Sequence, residues 1–192
     1  MSPAGPVLIT GGSGFTGVHL ARMLLDAGRP VRLLDVAVPA AERRFVLGAD
    51  ADALTEDMIT ASVDDWSAVL DAVRTTRPSA IVHIAAVVSP EVLARRPNLA
   101  LQVNLGGTVN VLEGARMFDV ARTVVFSSIG VLPTRQYEPI DVAHPLLLAG
   151  EGPNTGSMAR RRSAPRPSAT PTCSASGSTC GSCARRRSTA WA

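Results

Sequence analysis

The sequence predicts an α/β fold: an open, doubly wound parallel sheet that stops after about the fifth strand and leads into an irregular or disordered basic tail. Three observations carry that expectation. Short apolar runs alternate with amphipathic stretches over the first 150 residues. The connection between the first run and the first amphipathic stretch is rich in glycine, and the composition changes abruptly near Gly150. Strand–helix–strand crossovers are right-handed, so an alternation with short connections puts helices on both faces of a parallel sheet.

The run PVLIT (Pro6 to Thr10) is apolar, β-branched and ends in glycines, as a buried parallel strand does. From Phe15 to Ala27, residues Val18, Ala21, Leu24 and Leu25 recur at helical spacing, and Gly28 stands where a helix ends in the left-handed conformation. VRLLD (Val31 to Asp35) is the second strand and closes on a carboxylate. The connection from Val36 to Asp57 is long, holds Glu42, Arg43 and Arg44, and has room for a short helix of unassigned position. MITASV (Met58 to Val63) reads as the third strand. Trp66, Val69, Leu70 and Val73 then follow on one helical face. AIVHIAA (Ala80 to Ala86) is the fourth strand, and the apolar setting of His83 predicts a packed core histidine. A long helix from about Asn98 to Phe118 carries Leu101, Leu105, Thr108, Leu112 and Ala115 on one stripe, and TVVFSS (Thr123 to Ser128) is the fifth strand.

The 192 residues suffice for one domain with a sizeable core. Their charge is divided unevenly. Residues 1–150 hold 12 Arg against 15 Asp plus Glu, a net −3, whereas residues 151–192 hold 7 Arg against one Glu, a net +6. The expected organisation is therefore an incomplete α/β domain over residues 1–150 and an Arg/Ser/Pro/Cys-rich tail over residues 151–192. Cys173, Cys180 and Cys183 all lie in that tail with no histidine nearby to complete a metal set, so no metal site is expected. No apolar run approaches the roughly 20 residues of a membrane helix. Nor does a basic segment followed by an apolar one open the chain, so the expected location is the cytoplasm. All 19 Lys-plus-Arg residues are Arg, the signature of a coding sequence rich in G and C.

The first turn, TGGSGFTG (Thr10 to Gly17), joins a strand directly to a helix. Unpaired N–H groups and the helix dipole at such a junction favour a pyrophosphate. In that arrangement Gly11 permits the tight turn, Gly14 lets phosphates approach the backbone and Gly17 lets the helix pack closely. Asp35 ends the second strand 18 residues after Gly17. A carboxylate there accepts hydrogen bonds from the adenosine ribose hydroxyls and repels a 2′-phosphate, so NAD is the expected cofactor rather than NADP. Glycine turns and strand-end aspartates also arise for purely structural reasons; here strand, turn, helix and carboxylate occur together in order.

These residues resemble the extended short-chain dehydrogenases/reductases, the family of the NAD-dependent nucleotide-sugar epimerases and dehydratases. The resemblance runs from Val7 to about Val131 and rests on TGGSGFTG, the acidic end of the second strand, HIAA (His83 to Ala86), VNLGGTVNVLEGAR (Val103 to Arg116) and FSSIGV (Phe126 to Val131). It implies a Rossmann-type fold with Gly11, Gly14, Phe15, Thr16, Gly17 and Asp35 at the cofactor. By the same resemblance Ser62 and Val63 line the adenine site, Ala85 and Ala86 pass under the cofactor, and Asn104 fixes the active-site backbone. Family members carry Asp where Ser62 stands. Ser128 matches the catalytic Ser/Thr that hydrogen-bonds the substrate oxygen, an oxyanion-type role.

The family's chemistry also needs a Tyr-x-x-x-Lys pair, in which a tyrosine of lowered pKa exchanges a proton with the substrate hydroxyl. The 192 residues contain no Lys, and the single tyrosine, Tyr137, is followed four residues later by Asp141. The tail accounts for this when read as codons. SMARRRSAPR (Ser157 to Arg166) can be encoded so that the frame beginning at the third base gives Tyr-Gly-Ala-Ser-Lys-Val-Ser-Ala-Glu, the missing motif. In the same frame CARRRSTA (Cys183 to Ala190) can give Leu-Arg-Pro-Ser-Ala-Val-Tyr-Gly, similar to the family's sixth strand and turn. The expectation is a single-base insertion or deletion near Asn154 to Ser157 that replaced the carboxy-terminal portion.

Three functions are compatible with these features. The resemblance implies an enzyme using transient hydride transfer on a nucleotide-sugar-like small molecule, truncated and inactive in this form, with neither nucleic acid nor membrane as partner. Family members form homodimers through helices that include the tyrosine helix, which is scrambled here. A second reading is a non-catalytic NAD-binding module, and a third is a nucleic-acid-binding protein acting through its basic tail.

Overall fold

The computed structural model describes residues 5–128 and 138–144. The chain divides into units of residues 1–154 and 155–192. The second unit, and with it the expectation of a disordered tail, lies outside the described residues.

Five parallel strands, β1 (Val7–Thr10), β2 (Val31–Asp35), β3 (Ile59–Thr60), β4 (Ala80–His83) and β5 (Thr123–Val125), form one sheet. Their order across it is β3-β2-β1-β4-β5. Thr10 is level with Leu34 on one side and His83 on the other, and His83 is level with Val125. The carboxyl ends of the strands therefore share one edge of the sheet. The direction of winding reverses at β1, and beyond the carboxyl ends at that point such sheets have their binding crevice.

Both faces of the sheet are covered, which explains its continuous apolar runs. On one face Leu8, Leu34 and Ile81 pack with Val69, Ala72 and Val73 of helix α4 (Trp66–Thr76) and with Val111 and Ala115 of helix α7 (Gly107–Met117). On the other, Val7, Ile9 and Leu33 pack with Val18 and Ala21 of helix α1 (Phe15–Asp26) and with Leu47, Ala51 and Leu54. Each wholly buried leucine or isoleucine contributes about 1.5–3 kcal/mol. Helix α1 ends as expected: Gly28 has φ +68°, and the amides of Gly28 and Arg29 bond back to Leu25 and Leu24.

The long connection after β2 holds two helices, α2 (Ala41–Leu47) and α3 (Ala51–Glu56), separated by a 3-10 turn at Gly48–Asp50. Arg22 fastens them to α1, donating to the Leu47 carbonyl at 3.1 Å and to Asp50 at 2.7 Å. A further short helix, α5 (Pro90–Arg95), follows the fourth strand.

Three expected strands are shorter than their apolar runs. The third keeps only two residues: the Ala61 amide makes a last bond to the Asp35 carbonyl, after which the chain turns at Ser62, whose carbonyl accepts from the Asp65 amide, towards α4. The fourth ends at His83, after which residues 84–86 leave the ladder along the carboxyl edge. The fifth ends at Val125.

The expected helix from Asn98 to Phe118 is composite: α6 (Pro97–Leu101), a π-helical turn (Gln102–Gly106) and α7. Its buried face also differs from the expected stripe. Of the expected stripe Ala115 is buried, but Leu101, Leu105 and Leu112 are exposed, and Gly107, Val111 and Gly114 are buried instead. Glycine decides the orientation: a Cβ on Gly107 would stand 2.4 Å from the Val63 side chain. The helix thus approaches α4 and Val63 along a glycine seam, and the leucines face outward.

Candidate cofactor site

The Gly-rich turn is shaped by contacts that only glycine permits. Gly11 has φ +69°, and a Cβ there would stand 2.7 Å from the Ala85 nitrogen. A Cβ on Gly17 would stand 2.4 Å from the Gly11 carbonyl oxygen. Gly17 therefore seats the first turn of α1 on the loop itself. Gly14 caps α1 in an extended conformation without a side-chain acceptor, and the first turn contains no acidic residue. Phe15 and Thr16 are exposed there.

Asp35 holds the opposite side of the turn. Its Oδ2 accepts from the Ser13 amide at 2.9 Å and its Oδ1 from the Val36 amide at 2.7 Å. Each carboxylate oxygen retains further acceptor capacity. Arg43, on α2, donates to the Ser13 carbonyl at 3.3 Å.

Above the carboxyl edge lies a cavity of about 240 Å³. Among the expected cofactor residues, Gly11, Asp35, Ser62, Val63, Ala85 and Ala86 line it, together with Leu34, Val36, Ala61, Val87, Leu99 and Val103, which sequence reasoning missed. The lining comes from the turn after β1, the end of β2 and the residue after it, the connection after β3, the segment after β4, and α6 with the π-helical turn. Gly14, Phe15, Thr16, Gly17 and Asn104 do not line it. A larger hollow of about 420 Å³ lies where α4 and α7 end, bounded by Arg74, Arg77 and Asp119. It is remote from the glycine turn and Asp35, so the smaller cavity is the candidate site.

Two groups order the rim. Asn104, in the π-helical turn, accepts from the Val87 amide at 2.7 Å and donates to the Val87 carbonyl at 3.0 Å. His83 is buried and bonded on both ring nitrogens, with Thr10 Oγ1 at 2.7 Å from Nδ1 and Thr108 Oγ1 at 3.0 Å from Nε2. Burial pushes its pKa below the ordinary histidine value. Ser62 lines the cavity with its hydroxyl donated to Asp64. Ser128 is exposed just past β5 and does not line the cavity. Tyr137 and the three cysteines lie outside the described residues. Among the described residues no three metal-binding side chains cluster, and no helix is long and apolar enough to cross a membrane.

A model of the NAD dependent epimerase/dehydratase family matches residues 7–151. The chain belongs to that family. This epimerase/dehydratase homologue is 30% identical over 148 residues to UDP-glucose 4-epimerase of Mus musculus, covering 72% of its own length and 42% of that enzyme's. It is 36% identical over 131 residues to a 3 beta-hydroxysteroid dehydrogenase/Delta 5-->4-isomerase of Mycobacterium tuberculosis, covering 67% of itself and 33% of that protein. The crystal structure of the Thermus thermophilus UDP-glucose 4-epimerase in complex with NAD superposes with a TM-score of 0.57 at 32% identity, covering 70% of this chain and 41% of that one. The family member thus spans less than half the length of these relatives, and the region matched is the parallel sheet with its glycine turn.

Proposed function

We propose that the cavity beyond the carboxyl edge binds NAD, and that the chain carries the cofactor half of an NAD-dependent epimerase/dehydratase acting on a nucleotide sugar. The carrying observation is the junction of Gly11, Gly17 and Asp35: a glycine turn too tight for any Cβ, opening a helix that no side chain caps, beside a carboxylate with lone pairs to spare. A pyrophosphate suits the amides of Phe15, Thr16 and Gly17 at the α1 terminus, while the Gly14 amide closes the turn onto the Gly11 carbonyl at 3.1 Å. The adenosine ribose suits Asp35, and the adenine suits the apolar walls at Val63, Ala61 and Leu99. Ala85 and Ala86 leave room beneath the cofactor, and Asn104 holds their continuation at Val87.

When bound, NAD supplies hydride transfer, and the chain's own share of the chemistry is partial. Ser128, beyond the Val125 end of β5, is the hydroxyl we assign to stabilising charge on a substrate oxygen. Proton exchange with the substrate hydroxyl lacks its Tyr-x-x-x-Lys pair, since the 192 residues hold no lysine. Residues 1–150 then form the NAD-binding domain and residues 151–192 an aberrant tail read out of frame, in a protein of the cytoplasm. Resequencing the coding DNA around Asn154 to Ser157 tests the frame.

Fluorescence titration of the full chain with NADH tests the site: saturable binding that weakens about tenfold in Asp35→Ala supports it. The same preparation converts no UDP-glucose; turnover would overturn the incomplete-enzyme reading. If NADH binds without turnover even after the frame is restored, the chain is a non-catalytic NAD-binding module. The absence of lysine favours this second reading for the 192 residues themselves.

A further inference from the structure

Hydrogen bonds around His83 form one continuous path beneath the candidate cofactor site. Thr108 Oγ1 donates to the Asn104 carbonyl at 2.7 Å, so its single hydrogen is committed and it accepts from His83 Nε2. The imidazole therefore carries its proton on Nε2, and Nδ1 accepts from the Thr10 hydroxyl at 2.7 Å. Thr10 Oγ1 in turn accepts a longer bond, 3.4 Å, from the Ala85 amide. The path joins β1 immediately before Gly11, β4 immediately before the cavity-lining alanines, and the π-helical turn whose Asn104 clamps Val87.

We propose that His83 is a positioning residue for the cofactor site: its neutral imidazole, donating at Nε2 and accepting at Nδ1, holds the glycine turn, the Ala85 edge and the Asn104 turn in register. The proposal rests on the reading of the cavity as an NAD site. Its direction follows from the donor count. An imidazolium has a hydrogen on both nitrogens, so Nδ1–H would face the hydrogen that Thr10 donates. Thr10 must then rotate, and the path breaks beside Ala85. Gly11 and the Ala85 backbone leave no space for a Cβ between them, so a displaced Ala85 edge moves the turn as well. The groups facing the ring from β1 and α7 are the hydroxyls of Thr10 and Thr108, and Phe126, just past β5, donates its amide to the His83 carbonyl. On β2 the charged groups are Arg32, level with Leu8, and Asp35, one residue past Leu34, which is level with Thr10. Desolvation is the sole cause of the ring's lowered pKa, and no carboxylate holds it protonated.

The full 192-residue chain is titrated with NADH by fluorescence from about pH 8 to pH 5.5, alongside His83→Gln, Thr108→Val and their double variant. NADH affinity of the unmodified chain falls on acidification, with the onset below the ordinary histidine value because burial lowers the His83 pKa, and the fall approaches tenfold per pH unit beyond it. In His83→Gln it is about tenfold weaker at pH 8 and loses that pH dependence. Thr108→Val weakens binding alone and adds nothing in the double variant. His19→Gln and His144→Gln keep the slope. Should His83→Gln not fold, the slope of the unmodified chain and the effect of Thr108→Val decide. A pH-independent affinity in the unmodified chain overturns the proposal, as does a slope retained in His83→Gln, while NADH binding itself leaves the cofactor reading intact. No NADH binding at any pH overturns the cofactor reading and this proposal with it.

Discussion

Gly17 shows how little latitude the turn has. A methyl group at position 17 would meet backbone at 2.4 Å and 2.7 Å, atoms that cannot rotate aside. Gly17→Ala is therefore expected to cost about 1–3 kcal/mol, read as a drop in thermal midpoint. Asp35 bears on cofactor choice. Asp35→Ala removes the acceptor for the ribose and the repulsion of a 2′-phosphate, so competition titrations should show the NADH preference over NADPH shrinking by about tenfold. His83 sets the pH response of folding. Its folded pKa is below the unfolded value, so as pH falls through about 6.5 the unfolded chain takes up the proton first and stability declines. Chemical denaturation at pH 7.5 and 5.5 should show this loss, and His83→Gln should reduce it. The turn built by the glycines and Asp35 was legible in the sequence because it is local: a strand, a turn and a helix in immediate succession. Leu34, Val36, Ala61, Val87, Leu99 and Val103 were not, because each is an ordinary apolar residue that reaches the cavity only when distant segments converge.

Among the elements, α7 separates apolar spacing from burial. Its leucines repeat at helical intervals, yet the face that packs is marked by Gly107 and Gly114, against Val63 and against Val69 and Val73. Two neighbouring glycines give a test of opposite sign. Gly106 has helical φ −59° and nothing within 4 Å of a built Cβ, so Gly106→Ala should stabilise by about 0.5–1 kcal/mol. Gly107→Ala gains the same propensity but collides with Val63, and should destabilise by about 1–2 kcal/mol. Val63→Ala in the same chain should recover much of that loss, measured by urea denaturation. The order of strands and helices was legible from alternation alone. Strand ends were not, because an apolar run continues past its last ladder bond: at Ala85 and Ala86 the same composition that builds a strand instead lines a cavity. Helices α2 and α3 carried a signal in Leu47, Ala51 and Leu54, spaced four and three residues apart, which closes the second face of the core.

For the whole molecule, charge is divided unevenly along the chain, and lysine is absent from all 192 residues. Residues 1–150 carry net −3 and supply every described residue at the candidate cofactor site, while residues 151–192 carry net +6. The relatives matched are more than twice as long as the region they share with this chain; the mouse epimerase is covered over 42% of its length. Such a chain should bind a dinucleotide without completing proton transfer. Were the basic tail the functional part, salt-dependent affinity for DNA would be lost on deleting residues 151–192. The most direct test of the central claim is the map of backbone amide shifts in the isotope-labelled full chain as NAD is added. The account predicts saturable shifts concentrated at Gly11 to Gly17, Asp35 and Val36, Ser62 and Val63, and Ala85 to Val87. No saturable shifts, or shifts confined to α4 and α7 around Arg77 and Asp119, would contradict it.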